Sequence, residues 1–141
     1  MSLSIRLEGS EQIKMTCGCC GSEYTEPDEL YSCNITHNLG IMAKEAGIYV
    51  ALWRPYMLHG DYIPSSDYDA EMAFEDSVTI RAKDIIAVVG AGLSDLRKHP
   101  DRYKKFDSPN GWGTYGAFLP FVMGYYQALT ENPDAIIKVS R

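Results

Sequence analysis

The chain has 141 residues, 45% of them hydrophobic, and a formal net charge of −6 at pH 7. That is the size of one domain, 1–141, with apolar material for one core. The 13 Lys and Arg are scattered, so the clustered cations that general nucleic-acid binding needs are missing. The N-terminal MSLSIRLEGSEQIK has neither the basic nor the apolar part of a signal peptide. No apolar run approaches the ~20 residues of a membrane-spanning helix, so a cytoplasmic protein without membrane contact is expected.

Residues 4–8 and 12–16 alternate apolar and polar side chains around Gly9-Ser10, which predicts a β-hairpin turning there. The next stretch, 21–32, is polar and holds Pro27 and several acids; it reads as a loop or irregular knuckle. From Thr36, a natural N-cap, the residues Leu39, Met42, Ala43, Ala46 and Val50 recur at helical spacing, so a first helix is predicted over 37–53 with Pro55 ending it. Residues 56–77 carry aromatic side chains, acids and a Ser65-Ser66-Asp67 turn signal without a period, and read as a long surface loop.

Thr79 and the stripe Ala82, Ile85, Ile86, Val89, Leu93 and Leu96 predict a second helix over 80–98, stopped by Pro100. Thr114 then caps a third helix to about residue 129, with Pro120 inside it. Residues 135–139 read as a short strand that completes a sheet with the hairpin. The expected fold is α+β: three helices on a small antiparallel sheet made of the N-terminal hairpin and the C-terminal strand.

Two motifs carry chemistry. Cys17, Cys20, Cys33 and His37 write C-x2-C-x12-C-x3-H, the spacing of a zinc knuckle. Two thiolates two residues apart converge on one side of a tetrahedral ion, and a second pair closes it. These four are the expected ligands of a structural zinc, with Cys19 the spare thiol; in the bland reading Cys33 and His37 are core or capping residues, and a disulfide within the cluster is a third possibility. The run Val88-Val89-Gly90-Ala91-Gly92 imitates a dinucleotide-binding turn, but Asp95 stands where its third glycine belongs. Helix packing explains the same glycines more simply.

The other histidines, His59 and His99, form no two-ligand motif, and His59 with Asp61 lies in the predicted loop. Ten tyrosines and two tryptophans are many for this length. Several of them, Tyr49, Trp53, Tyr56, Tyr62 and Tyr68, gather near the first helix end and the loop, either as cover for the core or as a recognition surface.

Through the segments YSCNITHNLGIMAKEAGIYVALWRP (31–55) and FDSPNGWGTYGAFLPFV (106–122), the chain resembles a group of small uncharacterised proteins encoded by bacteriophages, prophages and bacterial genomes. The resemblance implies a phage or prophage setting in a bacterial cytoplasm, and no activity. It singles out Asn34, Thr36 and Asn38, with Asn110, Trp112 and Thr114, as a shared polar site if the two motifs meet. The expectation is a non-enzymatic accessory or protein-interaction domain, steadied by zinc. The alternative is a small metal-dependent enzyme using His37 with His59 or Asp61 around an ion that keeps an open position.

Overall fold

The computed structural model describes residues 2–141. Two long strands, β1 (Ser2–Thr16) and β2 (Glu23–Thr36), form an antiparallel hairpin, and β3 (Ile136–Ser140) pairs with the other side of β1, giving the order β2-β1-β3. Six α-helices lie between β2 and β3: α1 (Gly40–Glu45), α2 (Tyr49–Trp53), α3 (Tyr68–Ser77), α4 (Ala82–Lys98), α5 (Pro100–Lys104) and α6 (Tyr115–Glu131).

The period of two in β1 builds the inner face of the sheet. Leu3 stands opposite Ile35, Ile5 opposite Cys33 and Val139, and Leu7 opposite Tyr31 and Ile137. Leu3, Ile5 and Leu7 are at most 1% exposed, and full burial of each contributes about 1.5–3 kcal/mol. The stripes of α4 (Ile85, Val89, Leu93, Leu96) and α6 (Phe118, Val122, Tyr125, Leu129) join them in one core cluster. Backbone bonds from Ile137 N to Ile80 O and from Ala82 N to Ala135 O tie the C-terminal strand to the entry of α4.

The α+β fold and the C-terminal strand agree with the sequence reading; the hairpin turn and the number of helices do not. β1 runs through Gly9-Ser10, with register irregularities between Leu7 and Gln12. The turn lies instead at 17–22, where Cys17 N bonds Ser22 O and Gly21, at φ +72°, bonds Cys17 O. Residues 21–32, expected as a loop, are mostly β2. Pro27 is tolerated because β2 is an edge strand. Beyond the irregularity the hairpin leaves the core, and residues 10–16 and 23–27 are all exposed.

The predicted first helix is broken. A 3-10 turn (His37–Leu39) precedes α1. Gly47, at φ +76°, then ends α1 with paired bonds from Gly47 N to Lys44 O and from Ile48 N to Ala43 O. This is the Schellman arrangement, which glycine alone enters without strain.

The predicted 56–77 loop contains α3, capped by Asp67, whose Oδ1 accepts from Asp69 N at 3.0 Å. Glu71 on α3 gathers the segment, accepting from Tyr62 Oη (2.8 Å), Tyr56 Oη (3.1 Å) and Ser65 N (3.0 Å). The glycines of α4 serve packing: a Cβ on Gly92 would lie 2.2 Å from Ile48 Cγ2, and one on Gly90 2.9 Å from the Tyr126 ring. No helix among the described residues is long and apolar enough to cross a membrane.

Candidate recognition groove

The two motifs meet. The end of β2 and the 3-10 turn bring Asn34, Thr36, His37 and Asn38 to one edge of the sheet, where the loop 107–114 crosses toward α6. Asn38 Nδ2 donates to Trp112 O at 2.9 Å. Thr36 Oγ1 accepts from Asn38 N at 3.4 Å, acting as the cap its sequence position predicts. Asn34 Nδ2 donates to Ser2 Oγ (3.1 Å) and Ser4 Oγ (2.8 Å) across the hairpin.

The loop is held from within as well. Asn110 Oδ1 accepts from Trp112 N at 3.0 Å and pairs with Ser108 Oγ at 2.6 Å, while Ser108 N bonds Gly113 O. Gly113 lies at φ +103°, and a Cβ there would stand 2.9 Å from Asn38 Cβ. Only glycine lets the loop run this close to Asn38. Fixed at both its N–H and its carbonyl, Trp112 nonetheless carries its indole into solvent, 69% exposed.

Between the indole and the sheet edge lies a groove of about 910 Å³, whose walls include Asn34, Thr36, His37, Asn38, Asn110 and Trp112. Among the described residues no Asp, Glu, Lys or Arg lines it. Apart from the His37 imidazole, the polar side chains in the walls are amides and hydroxyls beside an aromatic face, chemistry suited to an uncharged hydrogen-bonding ligand. Of the six residues that the two motifs singled out, five line the groove. Thr114 does not; its hydroxyl caps α6 by accepting from Ala117 N at 3.2 Å. Ser2, brought in by the hairpin register, lines the groove without any local signal in the sequence.

His37 also lines the groove. Its ring lies edge-on to Trp53 at 6.1 Å between centroids, and its Nε2 is buried without a hydrogen-bond partner. His59 belongs to a different cluster, with its ring edge-on to Phe74 at 5.9 Å and its Nδ1 accepting from Asp61 N at 3.1 Å.

The zinc set is not assembled. Cys17 and Cys20 sit at the hairpin tip, whereas Cys33 pairs with Ile5 over the core. The strand from Glu23 to Cys33, at about 3.3 Å per residue, spans roughly 30 Å, while a zinc–sulfur bond is about 2.3 Å. Cys17, Cys20, Cys33 and His37 thus do not fit one ion. Burial pushes the Cys33 thiol up, as befits a packing residue. At the tip, the hydrogen bond with Ser22 Oγ (2.8 Å) draws the Cys20 thiol below its ordinary value. Among the described residues no three His, Cys, Asp or Glu side chains group around a point that would hold a metal, and His37 and His59 pack against different rings, Trp53 and Phe74.

Comparison with known proteins adds no relative: no family model, no curated protein and no solved structure matches the chain.

Proposed function

We propose that this protein is a non-enzymatic recognition domain that takes an uncharged segment of a protein partner into the groove between residues 34–38 and 110–112. The observation that carries the reading is Trp112, exposed at the groove rim yet fixed through its main chain by Asn38 and Asn110. An indole presented from a fixed backbone spares the entropy of ordering its loop on binding, and exposed aromatic residues of this kind dominate the energetics of protein interfaces. The unspent Asn38 Oδ1 and Asn110 Nδ2 offer an acceptor and a donor, matching the N–H and C=O of an extended backbone. A phage or prophage setting in a bacterial cytoplasm belongs to the same reading, supported by the resemblance through NITHN and NGWGTY.

Selection from a random peptide library against the immobilised protein tests it. Enriched peptides should be uncharged at their centre and lose at least tenfold in affinity on Trp112→Ala. Failure to enrich any sequence, or binding indifferent to Trp112→Ala, would refute the reading.

A further inference from the structure

A second cleft, of about 300 Å³, shares His37 with the groove and differs from it in being lined by cations. Lys44, Arg54 and Arg141 all line it, together with Tyr49, Trp53 and His37, and among the described residues no Asp or Glu does. Three separate parts of the chain supply these cations: the last turn of α1, the residue that ends α2, and the C-terminus after β3. In a chain of net charge −6, this convergence is not what the composition alone leads one to expect.

The pairing of the three differs. Arg141 is already satisfied, forking onto Glu75 at 2.8 and 2.7 Å and donating to Trp53 O at 2.9 Å. Lys44 and Arg54 make no ion pair among the described residues. The Lys44 ammonium rests 4.7 Å from the Tyr49 ring centroid, and Arg54 donates one Nη1 bond to Tyr56 Oη at 3.2 Å. The stacked Tyr49 and Trp53 rings, 4.9 Å apart, give the cleft an apolar wall. Among the described residues Lys44 has no carboxylate partner, and Arg54 reaches one only through Tyr56, whose hydroxyl also donates to Glu71, so an anion in the cleft meets positive charge that the fold leaves without a direct ion pair.

From this convergence we infer that the cleft binds a phosphate-class oxyanion, inorganic phosphate or a small phosphomonoester, between Lys44 and Arg54. Two cations, Lys44 without an ion pair and Arg54 with guanidinium N–H groups left over from Tyr56, match the charge of about −1.5 to −2 on a phosphate at neutral pH better than the single charge of a carboxylate. A point-charge ammonium and a planar guanidinium are the two side chains that recognise phosphate oxygens. Among the described residues the cleft and the groove have only His37 in common, so Lys44 and Arg54 can be tested without altering the groove's other walls.

The test is thermal melting of the full chain in inorganic phosphate against sodium chloride and sodium acetate at matched ionic strength. Phosphate at ten times its dissociation constant should raise the melting temperature by about 3–5 °C, saturably, with no such rise in chloride or acetate. Lys44→Gln and Arg54→Gln should each weaken the response at least tenfold, while Lys83→Gln, whose residue pairs with Asp134 instead, should leave it unchanged. Lys44 is exposed, so its variant folds even if the Arg54 variant does not. An equal rise in acetate or chloride, no rise at all, or a phosphate response that survives Lys44→Gln overturns the assignment.

Discussion

The side-chain amide of Asn38 donates to the main-chain oxygen of Trp112 across 74 positions of sequence, at 2.9 Å. This bond joins the end of the hairpin to the loop that opens α6, and both residues line the groove. Gly113 makes the approach possible, because its φ of +103° and the 2.9 Å spacing to Asn38 Cβ leave no room for a side chain. Gly113→Ala should therefore cost about 1–3 kcal/mol in urea unfolding and weaken groove binding. Gly111, at φ +78° with open space around its Cβ position, should cost about 1–2 kcal/mol as alanine, from backbone strain alone.

Gly92 tests the packing role of the α4 glycines. An alanine inside a helix normally gains about 1 kcal/mol over glycine. Here the added methyl would meet Ile48 Cγ2 at 2.2 Å and Ala46 O at 3.0 Å, and overpacking of this kind costs about 1–3 kcal/mol. Gly92→Ala should lower the melting temperature, and Gly90→Ala should lower it less, because the Tyr126 ring it meets is half-exposed and can shift.

Glu71 gives the fold a defined pH response. The Tyr62 hydroxyl bond, then burial against it, the Ser65 N–H and the Tyr56 hydroxyl, leave its carboxyl below the ordinary value of 4.5. A depressed folded value means the stabilisation is complete above about pH 5 and fades as the pH falls below 4.5. The same bond raises Tyr62 from 10 to about 12, so on the alkaline side stability falls as the pH rises between those values. Melting curves across pH should show both limbs, and Glu71→Gln should flatten them while loosening α3.

The cysteines separate by position. Cys17→Ser and Cys20→Ser alter an exposed tip and should leave the melting temperature unchanged. Cys33 packs against the core between Tyr31 and Ile5, so Cys33→Ser should cost about 1–2 kcal/mol by placing a hydroxyl in that apolar contact. Chelation with EDTA should change no variant, since no single ion spans the tip and the core. A fall in melting temperature on chelation would restore the shared zinc.

The sequence was legible where a local signal and the packing agreed. Thr36 and Thr114 cap the turn and helix they precede, the stripe of α4 faces the core, and residues 136–140 pair with β1. It misled where a local signal was outweighed from afar. Gly9-Ser10 has turn composition, yet strand pairing carries β1 through it. Pro27 and its neighbouring acids look like loop, yet an edge strand needs neither a full hydrogen-bond ladder nor a buried face. Gly47 was the readable clue to the broken helix, being the C-terminal glycine of a Schellman motif. The C-x2-C-x12-C-x3-H spacing suggested convergence because spacing counts residues; in a hairpin the twelve intervening residues are mostly extended strand, and they carry Cys33 away from the tip. Lys44, Arg54 and Arg141 share a cleft only through tertiary folding, which no local pattern encodes.

The most direct test of the central claim is a two-dimensional NMR titration of the folded chain with a library-selected peptide. It follows backbone amides, the Asn side-chain amides and the Trp112 indole N–H together. The groove reading predicts shifts concentrated at residues 34–38 and 110–113, including the indole and the Asn38 and Asn110 side chains, with residues 10–30 of the hairpin arm unmoved. Shifts confined to the hairpin arm, with an unperturbed Trp112 indole, would contradict it.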